Sequence, residues 1–499
     1  MKKRILISFL CCLLAVTMLT GCGGDDSQGS GKNPEEITIS YEYKSPLNPF
    51  DYSTDLTRNI VDNLIRVDCD NGDSITGILA ESYEVSDDQL EWTFHLRDAK
   101  FSDGKQVTAD DVVGSLEYAL STPTGAVNYV GYSAEAKDEK TVVIKLATMS
   151  PNAAYYISTI PVINMEKFKE LGDEKYFAEM IGSGAYMLES YDEATGLAIL
   201  VENPEYWGEA PSIKKVTMRY IPDSNTALIA LRNGEVDFTD IPSSTCKQAS
   251  GDDNLKVEFG RQTLGNYIIF NTEADQVKDE KLRQAILYAI DCDGLAKMSA
   301  VEGDYAVENC FYLDTWGIDK EGIPTYGYDP EKAKALIKEA GLSTPVDLGE
   351  IKITGDQASM WEAIQQSLAE VGINIKVSSV ETTVWLESIW KGDFKMGAMT
   401  NSEMISFGDV CENFHSEGIE LGYNLCRYND ATLDKYIDAA RFSTDSETQM
   451  KNFKEVAKII NEKALWADLF HYGRIYAMNK NLNAKVEDPN IYFNEMSWN

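Results

Sequence analysis

Residues 79–120 read LAESYEVSDDQLEWTFHLRDAKFSDGKQVTADDVVGSLEYAL. Within them, residues 90–96 (LEWTFHL) alternate apolar and polar with a period of two, the pattern of a half-buried strand. Residues 98–104 (DAKFSDG) supply turn chemistry. Thr108 then stands where a helix N-cap belongs, and Asp111, three residues on, can return a bond to its backbone N–H. Val112, Val113, Leu116 and Ala119/Leu120 follow at helical spacing, which predicts strand, turn and capped helix.

The N-terminus has three parts: Lys2-Lys3-Arg4, an apolar run over 5–18, and Leu19-Thr20-Gly21-Cys22. A basic head, a short apolar middle and a small-residue exit describe a secretory signal peptide. Leu-x-Gly-Cys resembles the bacterial lipobox, which implies cleavage after residue 21 and a lipid on the Cys22 sulfur. Residues 23–31 (GGDDSQGSG) form a polar tether with nothing to bury. The chain is therefore expected at the extracytoplasmic face of a bacterial membrane, anchored through Cys22.

Losing residues 1–21 of 499 leaves 478, more than one domain's worth. The formal charge of −36 becomes −39 without Lys2, Lys3 and Arg4. Such acidity repels the phosphates of nucleic acid and anionic lipid, and it suits solubility and cationic ligands. No stretch after the signal is long and apolar enough to span a bilayer. Cys11 and Cys12 leave with the signal, and Cys69, Cys246, Cys292, Cys310, Cys411 and Cys426 show no CxxC spacing, which argues against zinc or a redox dithiol. Six cysteines in an exported chain allow fifteen full pairings, and free thiols are equally compatible.

Along the chain, 37–43 reads as a strand ended by Ser45-Pro46-Leu47-Asn48-Pro49, whose two prolines stiffen the loop. Leu56 to Leu64 has helical periodicity. Gly182-Ser183-Gly184-Ala185-Tyr186 lacks the third glycine of a dinucleotide loop and the Lys-Ser/Thr of a P-loop. Asn203-Pro204-Glu205-Tyr206-Trp207-Gly208 follows, then Gly234-Glu235-Val236-Asp237, then a short apolar strand over 266–271. Arg283 lies in an amphipathic helix over 281–290 that ends Ala289-Ile290-Asp291-Cys292. Asp329-Pro330-Glu331 opens a further helix with N-cap, proline and first-turn acid. Helix–glycine–strand units at 330–341 and 361–377 point to α/β layering with a largely parallel sheet in the second half.

Taken colinearly over roughly 37–480, the "WTFHLR…FSDGKQVTADDV" run, "GSGAY", "NPEYWG", "GEVD" and "RQAILYAID" resemble the peptide-type (family 5) extracellular solute-binding proteins of bacterial ABC importers. The resemblance implies an α/β, two-lobed, periplasmic-binding-protein-like fold (type II, peptide-binding subclass with an extra subdomain), with central mixed sheets and an interlobe cleft. It implies residues 1–21 as signal, 22–35 as tether, 36–75 with 182–262 and 476–499 as the core of lobe I, 76–181 as the extra subdomain, and 263–475 as lobe II. It further implies a monomer that captures a small ligand, most commonly a peptide, by hinge closure and hands it to a membrane ABC permease. Relatives on the same scaffold bind opines, glutathione, sugars or metal complexes, or serve as receptors, and those readings stay open. Nucleic acid, cofactor and resident metal are not expected.

The same resemblance suggests ligand contacts. The Pro46-Leu47-Asn48 loop either lines the cleft and pairs with ligand backbone, or only connects strand to helix. Trp385 precedes the family's "KGDF" segment, here Lys391-Gly392-Asp393-Phe394. Peptide-binding members then carry Trp-x-x-Asp-Tyr, whose aspartate meets the peptide α-ammonium; here Asn401 and Met404 occupy the tryptophan and aspartate positions. Either Glu403, one residue away, pairs with the ammonium, or the ligand has no free amine there, because a desolvated ammonium needs a counter-charge. Tyr472, after His471, matches a ligand-contacting tyrosine, with a packing role as the alternative.

A hydrolase would need a nucleophile with its base, or spaced metal ligands. The chain has three histidines (His95, His415, His471), no HExxH and no GxSxG. A calcium loop over 68–73 fails because glycine falls on a ligand position and Leu79 stands where the bidentate glutamate belongs. An enzyme is not expected.

Overall fold

Strand Glu91–Leu96 buries Trp92, Phe94 and Leu96 on one face and lies between Ala80–Val85 and Thr141–Leu146. Tyr132–Asp138 completes a four-stranded antiparallel sheet. Helix Ala109–Ser121 covers it with Val112, Leu116 and Ala119 inward. Its start is built as the sequence predicts: one Asp111 oxygen accepts the Thr108 N–H (2.9 Å) and hydroxyl (2.7 Å). The other accepts the Met165 N–H at 2.9 Å, so the same carboxylate pins helix Met165–Leu171 to the first. His95 sits in the sheet opposite Thr141.

In this computed structural model the described residues are 33–44, 47–51, 53–68, 74–147, 150, 153–262, 264–301, 304–312, 317–401, 411–443, 445–486 and 490–499. Contacts group Glu35–Asn499 into one unit. The signal, Cys22 and the tether lie outside the described residues, as do Pro46, Glu403 and Met404.

A seven-stranded mixed sheet runs in the order Leu255–Phe259, Ile475–Asn479, Phe238–Asp240, Glu36–Tyr41, Lys215–Tyr220, Leu197–Glu202, Tyr186–Asp192. Glu36–Tyr41 is parallel to both its neighbours, and the other pairs are antiparallel. Its core is continuous with that of the four-stranded sheet. The helical periodicity of 56–64 is realised only as Asp55–Arg58. The chain then turns, because the Asn59 and Ile60 carbonyls accept the Tyr186 (3.1 Å) and Gly184 (2.8 Å) N–H groups instead of helical ones. Asn59 also binds the C-terminal segment, donating to the Ile491 carbonyl (2.8 Å) and accepting from the Phe493 N–H (2.8 Å).

The second half differs from the parallel sheet expected of it. Tyr305–Ala306, Trp466–Tyr472, Leu264–Phe270 and Met396–Asn401 pair antiparallel throughout. Among the described strands of this half, only Val346–Ile353 and Ile373–Ser379, bridged by helix Ala358–Glu370, are parallel. Helix–glycine–strand order is local information; it finds that one crossover but not the pairing of strands more than a hundred residues apart. Leu264–Phe270 feeds a core on each face: Ile268 and Phe270 on one side, Tyr267 and Ile269 on the other. Helix Glu280–Ala289 carries the buried Arg283, which donates to the carbonyls of Val277 (3.0 Å), Lys278 (2.8 Å), Lys463 (2.6 Å) and Ala464 (3.0 Å).

Candidate functional site: a cleft at the paired crossings

The chain passes between the two large sheets twice, from Phe259 to Leu264 and from Tyr472 to Ile475. The crossings run side by side: the Gly260 N–H donates to the Arg474 carbonyl at 2.8 Å. One ribbon, 255–270 against 466–479, thus threads both sheets.

Beside it opens a cavity of about 800 Å³. One wall comes from the seven-stranded sheet and its loops, with Tyr41, Glu42, Asp55, Arg58, Phe238 and Asp240. The other comes from the second half, with Asn266, Asp304, Gln357, Met360, Phe470 and Tyr472, and Arg474 stands at the crossing. Phe470 and Tyr472, alternate residues of one strand, stack at 6.0 Å. The lining holds four carboxylates, Glu42, Asp55, Asp240 and Asp304, against the guanidiniums of Arg58 and Arg474. Asp240 is open to cleft water yet walled by protein, and this desolvation pushes its carboxyl up to about 6 despite the pull of Arg474. Burial pushes Asp304 up to about 7.

The sequence-predicted residues fall in different places. Tyr472 lines the cavity. Leu47 packs against the first core, and Asn48 accepts the Phe50 N–H (3.0 Å) and lies 3.4 Å from the Tyr118 hydroxyl; neither lines the cavity. Trp385 is 5% exposed in the core behind strand 264–270, its indole N–H unpartnered among the described residues. Asn401 ends its strand opposite Gly265. Sequence reasoning missed Asp240, Asp304 and Gln357, which belong to no periodic pattern or motif and come together only through the tertiary fold.

The glycine and tryptophan motifs do other work. A Cβ on Gly182 would stand 2.0 Å from the Ile60 carbonyl oxygen, so that glycine serves close backbone approach. Asp62 accepts from the Trp207 indole (2.9 Å) and the Ser183 hydroxyl (3.2 Å), and burial pushes it up to about 6. The Arg97 guanidinium lies 3.9 Å over the Trp207 ring. This network borders an adjoining cavity of about 450 Å³, which shares Ser53, Arg58, Arg474 and Asn490 with the cleft. The histidines are apart: His415 lies 3.5 Å from Asp438, and His471 is 3.1 Å from the buried Asp468. Among the described residues no cluster of His, Cys, Asp and Glu could hold a metal, and no helix is long and apolar enough to cross a membrane.

The sequence pattern of the bacterial extracellular solute-binding proteins, family 5 (middle part), matches residues 74–408, more than half the chain. The chain belongs to that family. Among family 5 relatives, a Brucella ovis protein whose name assigns it provisionally to ABC-transporter peptide binding is 29% identical over 445 residues, covering 84% of this chain and 83% of its own. The oligopeptide-binding protein AppA of Bacillus subtilis is 25% identical over 547 residues, covering 100% of this chain and 99% of its own. Its structure with a nonapeptide superposes with a TM-score of 0.75 at 24% identity, over 93% of this chain and 99% of that one. The ABC transporter substrate-binding protein CtaP of Listeria monocytogenes reaches 0.83 at 22% identity, over 94% and 100%. These structures establish the two-lobed α/β fold of family 5 for this chain.

Proposed function

We propose that the protein captures a peptide in the cleft and delivers it to an ABC permease from the outer face of the membrane, held there through lipid on Cys22 and acting as a monomer. The observation that carries the reading is the 800 Å³ cavity, walled from both sheets at a two-strand crossing. Ligand held between two hinged walls favours closure by contacting both, and it shifts the population only as far as those contacts differ between states. Tyr472 supplies an aromatic floor; Pro46, Asn401 and Glu403 stay candidates for the further contacts of the family pattern, with Glu403 meeting a ligand ammonium or the ligand having no free amine there, whereas Leu47, Asn48 and Trp385 pack away from the cleft. No chemistry on the ligand belongs to this reading.

Native mass spectrometry of the purified unit from Glu35 onward tests it. A ladder of short peptides is the expected co-purifying species; a single non-peptide mass would overturn the peptide assignment. Cys22→Ser is expected to move the full chain from the membrane fraction to the soluble one, and retention in membranes would refute the anchor.

A further inference from the structure

The 450 Å³ cavity has the opposite charge character to the cleft beside it. Four of the chain's eleven arginines line it, Arg58, Arg66, Arg261 and Arg474, and no lysine among the described residues does. All four are half-buried. The lining carboxylates are Asp51, which is exposed, and Asp62, whose Oδ2 is already taken by the Trp207 indole and the Ser183 hydroxyl. Such a bias stands out in a chain with 81 acidic residues against 45 basic ones.

The C-terminal segment fixes where the arginines stand. Ile491 and Phe493 turn into the core, and the alternate residues Asn490, Tyr492 and Asn494 line the cavity as one wall. Asp55 Oδ1 accepts the Ile491 N–H at 3.3 Å and Arg58 Nη1 at 3.1 Å, which brings Arg58 to one end of that wall. At the other end the Arg66 guanidinium lies 3.5 Å over the Tyr492 ring, and its Nη1 meets Glu495 at 2.9 Å. Arg261 and Arg474 come from the two crossings, held together there by the Gly260 N–H on the Arg474 carbonyl.

A guanidinium offers five N–H donors, so one that holds a carboxylate can still meet a second acceptor. Arginine in place of lysine suits an oxyanion, because its planar fork gives two parallel bonds to two oxygens. We infer that this side cavity binds a small free oxyanion, a carboxylate or a phosphate, separately from the ligand of the cleft. Arg58 and Arg474 line both cavities, whereas Arg66 and Arg261 line only this one of the two. Nothing in the inference depends on what the cleft holds.

The test uses the full chain, purified in mild detergent and dialysed free of oxyanions. Inorganic phosphate, succinate and citrate are titrated by calorimetry at constant ionic strength, with chloride as the reference anion. At least one is expected to bind one-to-one, in the millimolar range or tighter, and to raise the melting temperature where chloride does not. Arg66→Gln and Arg261→Gln should each weaken that anion by about tenfold or more. Arg66→Lys, which keeps the charge and loses the fork, should recover only part. Arg219→Gln removes the same charge outside the cavity and should leave the affinity unchanged. Melting of each variant without anion separates lost binding from lost fold, and Arg261→Gln carries the test if Arg66→Gln unfolds. Binding of none of the three anions, or binding that both glutamine variants leave intact, would overturn the inference. Displacement of the anion by a tripeptide with a free C-terminal carboxylate, but not by its amide, would overturn its separateness and make the cavity part of the ligand site.

Discussion

Gly473 lies against Gly260 where the chain crosses twice between sheets: a Cβ on Gly473 would stand 2.2 Å from the Gly260 carbonyl oxygen. Both obstacles there, Gly260 and the Arg261 carbonyl at 3.0 Å, are backbone, so relief requires the two crossings to part. Gly473→Ala is expected to cost about 1–3 kcal/mol in urea unfolding. Gly260→Ala, whose Cβ would meet nothing nearer than 3.3 Å, should cost less. Equal costs would mean that the crossings yield freely.

Arg283 donates to four carbonyls: those of Lys463 and Ala464 tie helix Glu280–Ala289 to the chain entering strand Trp466–Tyr472, and those of Val277 and Lys278 hold the loop that leads into the helix. Arg283→Met keeps the aliphatic stem and removes the donors, for an expected loss of about 3 kcal/mol or more. Arg283→Lys should recover only part, since an ammonium cannot reproduce the planar fork. Chemical denaturation of the three proteins checks the order.

Trp207→Phe removes the indole bond to Asp62 and part of the stacking under Arg97. A loss of about 1–2 kcal/mol is expected, with ligand affinity unchanged, because Asp62, Arg97 and Trp207 do not line the 800 Å³ cleft. Weakened ligand binding in a variant of normal stability would move the motif into the ligand site.

Stability should fall as pH rises from about 4 to about 7. Burial raises Asp468 and Asp62 from 3.8 to about 6, and Asp304 to about 7. In each the folded chain holds its proton more tightly than the unfolded one, so the favourable contribution is present at low pH and lost through this window. Relief of the −36 net charge on acidification acts in the same direction. The Tm is expected to be about 2 °C or more higher at pH 5 than at pH 7.5, and Asp304→Asn should flatten the dependence. A Tm that rises from pH 5 to pH 7.5 would contradict it.

What could be read from sequence is what is local. The strand, turn and capped helix of 79–120 follow from alternation, turn residues and Thr108–Asp111, and all three are present. Helix Pro330–Glu339 likewise begins where Asp329 caps it, accepting the Lys332 N–H at 2.9 Å. Failure began where distant partners decide. The run at 56–64 has helical spacing, but its carbonyls are claimed by residues 184 and 186. The second-half strands find antiparallel neighbours from far along the chain. Tyr472 is legible as a cleft residue through family likeness alone, whereas Asp304 and Gln357 carry no motif and come to the cavity wall only through the tertiary fold.

The threading ribbon has a consequence for biogenesis. The four described strands of the antiparallel sheet all lie between residues 264 and 472, so that sheet waits for nothing beyond residue 472. The seven-stranded sheet cannot, since Ile475–Asn479 sits inside it and Asn59 waits for Ile491 and Phe493. During export from N- to C-terminus, the sheet that begins the chain is therefore the sheet that finishes last, and losing the final two dozen residues would strip a strand from the seven-stranded sheet while leaving the antiparallel sheet its four described strands.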